Sequence, residues 1–311
     1  ILARRDELIQ QAAAKFRQVD PQVDLGIVKA EADQHARRVV VASVQTLAQP
    51  HRLARLKRDF GLIVIDEAHH AAAKTYKTIL KHLGSWEDDG PITVGVTATP
   101  DRGDGVGLKS VFQKIVFQRG LLEMIHAGYL CGLRGVEVQV DADLAGLPTR
   151  RGDIVESAAG AALLAAHAPE AIAAAYRQHA SGMRAVVFTP TVAMAEATAA
   201  AFRAVGVAAK SLDGMTPVLE RRQILAGLAD GSTPVVCNCG VLTEGFDEPQ
   251  IRCVIIARPT KSRALYTQMV GRGTRLADGK RECLVLDVVG ATRQHQLVTV
   301  ATLVGRAARE A

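Results

Sequence analysis

Hydrophobic residues in this chain gather in short β-branched runs separated by longer stretches rich in Ala, Leu, Gln and Arg. The runs are Val39–Val44, Leu62–Ile65, Ile92–Val96, Ala185–Phe188, Ala208–Ser211, Pro234–Cys237, Cys253–Ile256 and Leu284–Leu286. Continuous rather than alternating apolar runs predict strands covered on both faces, and so parallel sheets with helices on each side. Repetition of strand, helix, strand is the α/β signature. Periodicity weakens between Gly128 and Gly160, where Gly, Pro and Asp accumulate (Gly146-Leu147-Pro148-Thr149-Arg150-Arg151-Gly152-Asp153). This reads as a connector holding one extra strand at Val136–Val140. The pattern predicts an α/β lobe over 1–130, a connector over 131–164 and a second α/β lobe over 165–311, the two lobes facing one another.

A length of 311 residues suits two domains. With 48% hydrophobic and 23% charged residues, wholesale disorder is excluded. The net charge of +6 agrees with a polyanionic partner without establishing one. Five cysteines, an odd number in a long chain, with Cys237 and Cys239 one residue apart and no C-x-x-C or His pair nearby to complete a zinc site, read as small buried hydrophobes of an intracellular protein. No basic segment followed by an apolar one opens the chain. The alanine-rich stretch Ala158–Ala175 is broken by Gly160, His167, Pro169 and Glu170, so it predicts a helix of a soluble protein rather than a membrane span. The default location is cytoplasmic.

Ligands of such sheets bind beyond the carboxyl ends of the strands. After Leu62–Ile65 comes Asp66-Glu67-Ala68-His69-His70. A carboxylate pair there can hold Mg²⁺ through one member and polarise a water with the other, although a lone Asp-Glu is more often a solvated loop. The adjacent histidines lack zinc-site spacing. After Ile92–Val96 comes Thr97-Ala98-Thr99-Pro100, which taken alone is an ordinary turn. Further on stands Gln268-Met269-Val270-Gly271-Arg272-Gly273-Thr274-Arg275. Two arginines three apart share a helix face and can present guanidinium forks to a phosphate, or form structural salt bridges.

Asp-Glu-Ala-His, then Thr-Ala-Thr-Pro, then a second lobe ending in Gln-x-x-Gly-Arg-x-x-Arg, resembles the superfamily two helicases, specifically DEAH-box members of the XPB and RadD kind. The resemblance covers essentially the whole chain. It implies two RecA-like lobes, each a parallel sheet flanked by helices, and an ATP- and Mg²⁺-dependent helicase or translocase working on DNA or RNA through the phosphate backbone. It also implies roles. Arg4 and Arg5 (motif Ia) and Gln45 and Thr46 (motif Ib) would touch strand phosphates. Asp66 would hold Mg²⁺ via water, Glu67 would activate the attacking water, and His69 would link nucleotide state to strand binding. Thr97 and Thr99 (motif III) would couple the lobes. Thr189 (motif IV) and Thr243 (motif V) would meet the strand, with Gly245 and Asp247 near the nucleotide. Gln268, Arg272 and Arg275 (motif VI) would serve catalysis, the arginines meeting the γ-phosphate. At 4% aromatic residues, base stacking is expected to matter less than backbone contacts.

One departure stands out. No G-x-x-x-x-G-K-[ST] phosphate loop occurs: Gly107-Leu108-Lys109-Ser110 lacks the Gly-Lys pair, and Gly279-Lys280-Arg281 lacks the hydroxyl. In the family that loop precedes motif Ia. The resemblance therefore implies an incomplete first lobe and a chain inactive by itself. The other reading is a nucleic-acid-binding or scaffolding protein that kept the fold and lost ATPase activity. Retention of Asp66, Glu67, Arg272 and Arg275 favours the enzyme. The motor of a restriction enzyme is a third reading, for which no nuclease motif is visible.

Overall fold

A computed structural model describes residues 1–98, 108–144, 146–150, 152–243, 245–290 and 300, and the chain divides into two compact units, 1–118 and 119–311. Thr99, Pro100 and Glu244 lie outside the described residues.

The first unit runs β1 (Leu2–Ala3), α1 (Asp6–Val19), β2 (Leu25–Lys29), β3 (Ala32–Asp33), β4 (Val39–Ser43), α2 (Val44–Leu47), α3 (Pro50–Leu53), β5 (Leu62–Asp66), α4 (Lys74–His82) and β6 (Ile92–Val96). Its sheet has the order β3-β2-β4-β1-β5-β6. Every pairing is parallel except β2 with β3, which is antiparallel. Helix α4 buries Tyr76, Ile79, Leu80 and then Leu83, which recur at the helical period and so form one stripe against Ile63 and Ile65.

The second unit runs α5 (Leu121–His126), β7 (Gly132–Val140), β8 (Thr149–Arg150), β9 (Asp153–Ile154), α6 (Glu156–Ala165), α7 (Ala168–His179), β10 (Ala185–Phe188), α8 (Val192–Ala204), β11 (Ala209–Leu212), α9 (Val218–Asp230), β12 (Val235–Asn238), β13 (Cys253–Ile256), α10 (Arg263–Gly271) and β14 (Glu282–Gly290). Six strands form a wholly parallel sheet, β11-β12-β10-β13-β14-β7, and β8 and β9 form a small antiparallel hairpin. β10, β12 and β13 are buried at every position, which is why they read as unbroken apolar runs.

All eight main runs are strands, shifted by a residue or so at their ends except β14, which extends from Leu284–Leu286 to Glu282–Gly290. The expected connector is different. Residues 132–140 form β7, the edge strand of the second sheet, paired along its whole length with β14. Val138 and Val140 are buried while Arg134 faces outward to Glu282. An edge strand with one apolar face loses the continuous run of an inner strand, which is why this segment looked weakly patterned. Residues 156–165 are likewise helical, so 131–164 belongs to the second unit, whose start lies at 119. The alanine-rich stretch is α6 and α7, bent by 73° at His167, whose φ is +51°. Among the described residues no single helix is long and apolar enough to cross a membrane.

Candidate functional site

In the first unit β4, β1, β5 and β6 are successive parallel neighbours. The residues that follow them therefore line one edge of the sheet: Gln45 and Thr46, Arg4 and Arg5, Asp66 to His69, and Thr97. Asp66 ends β5, and its Oδ1 accepts the Glu67 N–H at 2.9 Å. Glu67 adopts φ +50° and ψ +51°, a left-handed backbone rare for a residue with a side chain, and a single 3₁₀ turn follows over Ala68–His70. The turn swings His69 back across the edge. Its Nδ1 lies 3.0 Å from Thr97 Oγ1 and 3.3 Å from Glu67 Oε2. The first is a hydrogen bond whose direction follows the imidazole tautomer, and the second is an ion-pair distance that gains charge when His69 is protonated. The Glu67 and His69 side chains are each 14% exposed, so this link is largely shielded from water.

No group of three or more His, Cys, Asp or Glu side chains among the described residues could cage a metal ion. Mg²⁺ keeps several waters and takes one or two carboxylates plus substrate phosphates. Asp66 and Glu67 therefore suit Mg²⁺ arriving with a triphosphate, not a resident ion.

Next along the edge, Ser43 caps α2. Its Oγ accepts from Thr46 N–H at 3.3 Å and donates to Gln45 Oε1 at 3.1 Å. Gln45 and Arg4 are exposed, whereas Thr46 is buried, its Oγ1 accepting from Ala30 N–H at 3.2 Å.

In the second unit Asn238, fully buried at the end of β12, ties three segments together. Its Nδ2 donates to Val187 O at 2.9 Å, its Oδ1 accepts from Leu242 N–H at 3.1 Å, and its carbonyl accepts from Thr189 N–H at 3.0 Å. The Thr189 hydroxyl lies 3.1 Å from both Asn238 O and Thr191 O. Thr189 and Thr243 are buried, as is Thr46. The three threonines thus sit inside the loops of their sheet edges, whereas Arg4 and Gln45 are on the surface.

The motif VI arginines also depart from expectation. α10 ends at Gly271, so Arg272 is its cap and Arg275 stands in the turn beyond, not on a shared helix face. Gln268 is buried on the helix itself. Arg272 Nη1 donates to Phe246 O at 2.7 Å and Arg275 Nη1 to the same oxygen at 2.8 Å, while Arg275 Nε meets Asp247 Oδ1 at 2.9 Å. Gly245, with φ +72°, permits the bend that offers this carbonyl. A Cβ on Gly273 would stand 2.3 Å from Cys283 Sγ and 2.6 Å from Val254 Cγ2, so this glycine lets the arginine turn lie flat on β13 and β14. Sequence reasoning missed Asn238 and Lys280. The latter is a buried lysine whose Nζ donates to Pro249 O at 2.9 Å and whose pKa is lowered by burial. Neither carries a motif signal. All five cysteines are unpaired and four are buried; burial lifts the Cys283 thiol to about 12, which suits packing, not nucleophilic chemistry.

Each unit is thus an α/β sheet, one with acidic groups at a strand end and the other with two arginines gathered on one carbonyl. Comparison with known proteins gives the family. Residues 1–102 match the family model of the type III restriction enzyme res subunit, and residues 167–277 match the helicase conserved C-terminal domain. A Saccharomyces cerevisiae protein named as an ATP-dependent helicase, IRC3, is 35% identical over 98% of this chain and 45% of its own length. A Schizosaccharomyces pombe protein named as a mitochondrial ATP-dependent helicase, irc3, is 35% identical over 98% of this chain and 51% of its own. The chain thus spans about half the length of these curated relatives. Among solved structures, a fragment assigned as an HsdR subunit of a type I restriction enzyme from Vibrio vulnificus shares the fold at TM-score 0.68, with 20% identity, over 89% of this chain and 52% of that one. The Pyrococcus furiosus Hef helicase domain does so at TM-score 0.52, with 18% identity, over 94% and 86%. The chain belongs to superfamily two of the helicases.

Proposed function

We propose that these residues form most of a DEAH-type ATP-dependent motor that moves along a nucleic-acid strand. The observation carrying the reading is the His69 bridge between Glu67 and Thr97, because it joins the group suited to activate water to the next strand end along the same edge. When bound, Mg²⁺ would neutralise phosphate charge as γ-phosphoryl transfer proceeds. Asp66 would hold it through water, and Glu67 would orient the attacking water and take its proton. Arg272 and Arg275 would bring positive charge to the γ-phosphate once the units close on ATP, so that hydrolysis reopens them and shifts the strand. Thr97 would relay nucleotide state, as would Thr99, outside the described residues.

The strand would run over Arg4 and Gln45 in the first unit and past the loops shaped by Thr189 and Thr243 in the second. DNA is the favoured track. A restriction–modification enzyme and the helicase MrfA, both structural neighbours, were solved bound to DNA, although Dbp5, another, was solved bound to RNA. A DNA-repair role fits the same track. The cell compartment follows the relatives less simply, since the fission-yeast protein is named mitochondrial rather than cytoplasmic.

No G-x-x-x-x-G-K-[ST] loop lies within the 311 residues, so the isolated chain is expected to turn over little or no ATP. The test joins these residues to a lobe segment supplying that loop and compares the parent with Glu67→Gln. The variant should bind ATP and strand while hydrolysis stops. Unchanged turnover would remove Glu67 from the base role, and strand-stimulated turnover by the 311-residue chain alone would overturn its expected inactivity.

A further inference from the structure

The hairpin β8–β9 stands apart from the main sheets, yet it is bolted to the edge where a strand would lie. One carboxylate does this. Asp153 Oδ2 accepts from the Thr260 hydroxyl at 2.7 Å, and its Oδ1 accepts from Lys261 N–H at 2.7 Å and from Ile154 N–H at 2.9 Å. Thr260 and Lys261 belong to the loop leaving the carboxyl end of β13, the strand beside β10, whose own end carries Thr189. A second tie, from Arg258 to Glu156, fixes the base of the hairpin where α6 begins. Two short strands with a two-residue ladder cannot be stable alone, so their position is set by these bonds.

Across that ladder Asp153 pairs with Arg150. In most hairpins such a pair would neutralise itself. Here the carboxylate is spent on Thr260 and Lys261. Arg150 is exposed and makes no hydrogen bond or ion pair among the described residues. Gly152, with φ +85°, allows the tight return, and the preceding residue in the sequence is a second arginine, Arg151, outside the described residues. An uncompensated guanidinium on a rigid arm at a carboxyl edge is a group arranged for an anion.

We infer that the β8–β9 hairpin is a phosphate-contacting arm of the second unit, with Arg150 as the contact and Asp153 as a positioning residue. This rests on the reading of the chain as a nucleic-acid motor. The ligand is the sugar–phosphate backbone of the bound strand; the hairpin offers no aromatic side chain for base stacking.

The test is fluorescence anisotropy of a labelled single-stranded DNA oligonucleotide against the 311-residue chain across a salt series. Arg150→Ala should weaken binding several-fold at low salt and lower the slope of log K against log salt by about 1. Arg150→Lys should recover part of the loss. Arg177→Ala, on the exposed face of α7, should change neither. Asp153→Ala is the sharper variant. It removes a negative charge from the protein, so general electrostatics would tighten binding, whereas loss of the bolt should weaken it. Unchanged affinity and slope in Arg150→Ala, or an equal loss in Arg177→Ala, would overturn the arm while leaving the motor reading intact. Absence of any salt-dependent binding by the unsubstituted chain would overturn both.

Discussion

Arg272 and Arg275 donate to the same atom, the carbonyl oxygen of Phe246, at 2.7 and 2.8 Å. Each guanidinium has five N–H donors, so both can hold this oxygen and still offer hydrogens elsewhere. A lysine could not fill the place of Arg275, which also reaches Asp247 through Nε. In a protein carrying these residues with a phosphate loop, Arg275→Lys should lower phosphate release nearly as far as Arg275→Ala, by about 10² or more. Strand affinity should change much less. Steady-state phosphate release and anisotropy on the same samples check this, and a loss confined to affinity would count against the γ-phosphate role.

Glu67 holds a left-handed backbone that costs a residue with a Cβ about 1 kcal/mol or more. Both Glu67→Ala and Glu67→Gly remove the carboxylate, but only glycine relieves the backbone. The glycine variant should therefore be the more stable of the two by about 0.5–1 kcal/mol in a denaturant titration. Equal stabilities would mean that the turn relaxes on substitution.

Asn238→Ala should be far more damaging than its small change in volume suggests. It removes the donor to Val187 O and the acceptor for Leu242 N–H in a fully buried setting. Leaving such groups unpaired costs about 2–4 kcal/mol in total. A fall in melting temperature of about 5–15 °C is expected by calorimetry.

Asp287 links stability to pH. It is buried on β14, its Oδ2 accepting from Tyr266 Oη–H at 2.6 Å and from Val300 N–H at 3.0 Å. Burial pushes its pKa up to about 6, against the opposing pull of those hydrogen bonds, and Glu137 across the β7 ladder pushes it further in the same direction. The folded state thus binds this proton more tightly than the unfolded state, where the pKa is about 3.9. The stabilisation is fully present below about pH 4 and is lost as pH rises to about 6, at most about 3 kcal/mol. Asp287→Asn keeps a neutral acceptor, so its stability relative to the parent should improve from pH 4 to pH 7. A pH-independent difference between the two would contradict the assignment.

How much of this could be read from residues alone depended on burial. β10, β12 and β13 announced themselves because inner parallel strands are apolar at every position. β2 did not, because Gly26 and Lys29 break its run, and β7 was read as a strand only over Val136–Val140 because only one of its faces meets the core. Asp66, Glu67 and the two arginines were visible as motif residues. Their setting was not: the left-handed turn at Glu67, the shared Phe246 carbonyl and the end of α10 at Gly271 depend on contacts between residues distant in sequence. The burial of Thr46, Thr189 and Thr243 was not legible for a related reason. A hydroxyl that caps or ties a loop looks the same in sequence as one offered to a phosphate.

The pairing of β7 with β14 joins residue 132 to residue 282 and continues to residue 290. During synthesis, the earlier of these strands leaves the ribosome with its neighbour still untranslated. For a time its apolar face has nothing to cover it. The six-stranded sheet of the second unit is complete only after β14 emerges, so chain ends cut inside β14 should yield aggregates in place of shorter soluble domains.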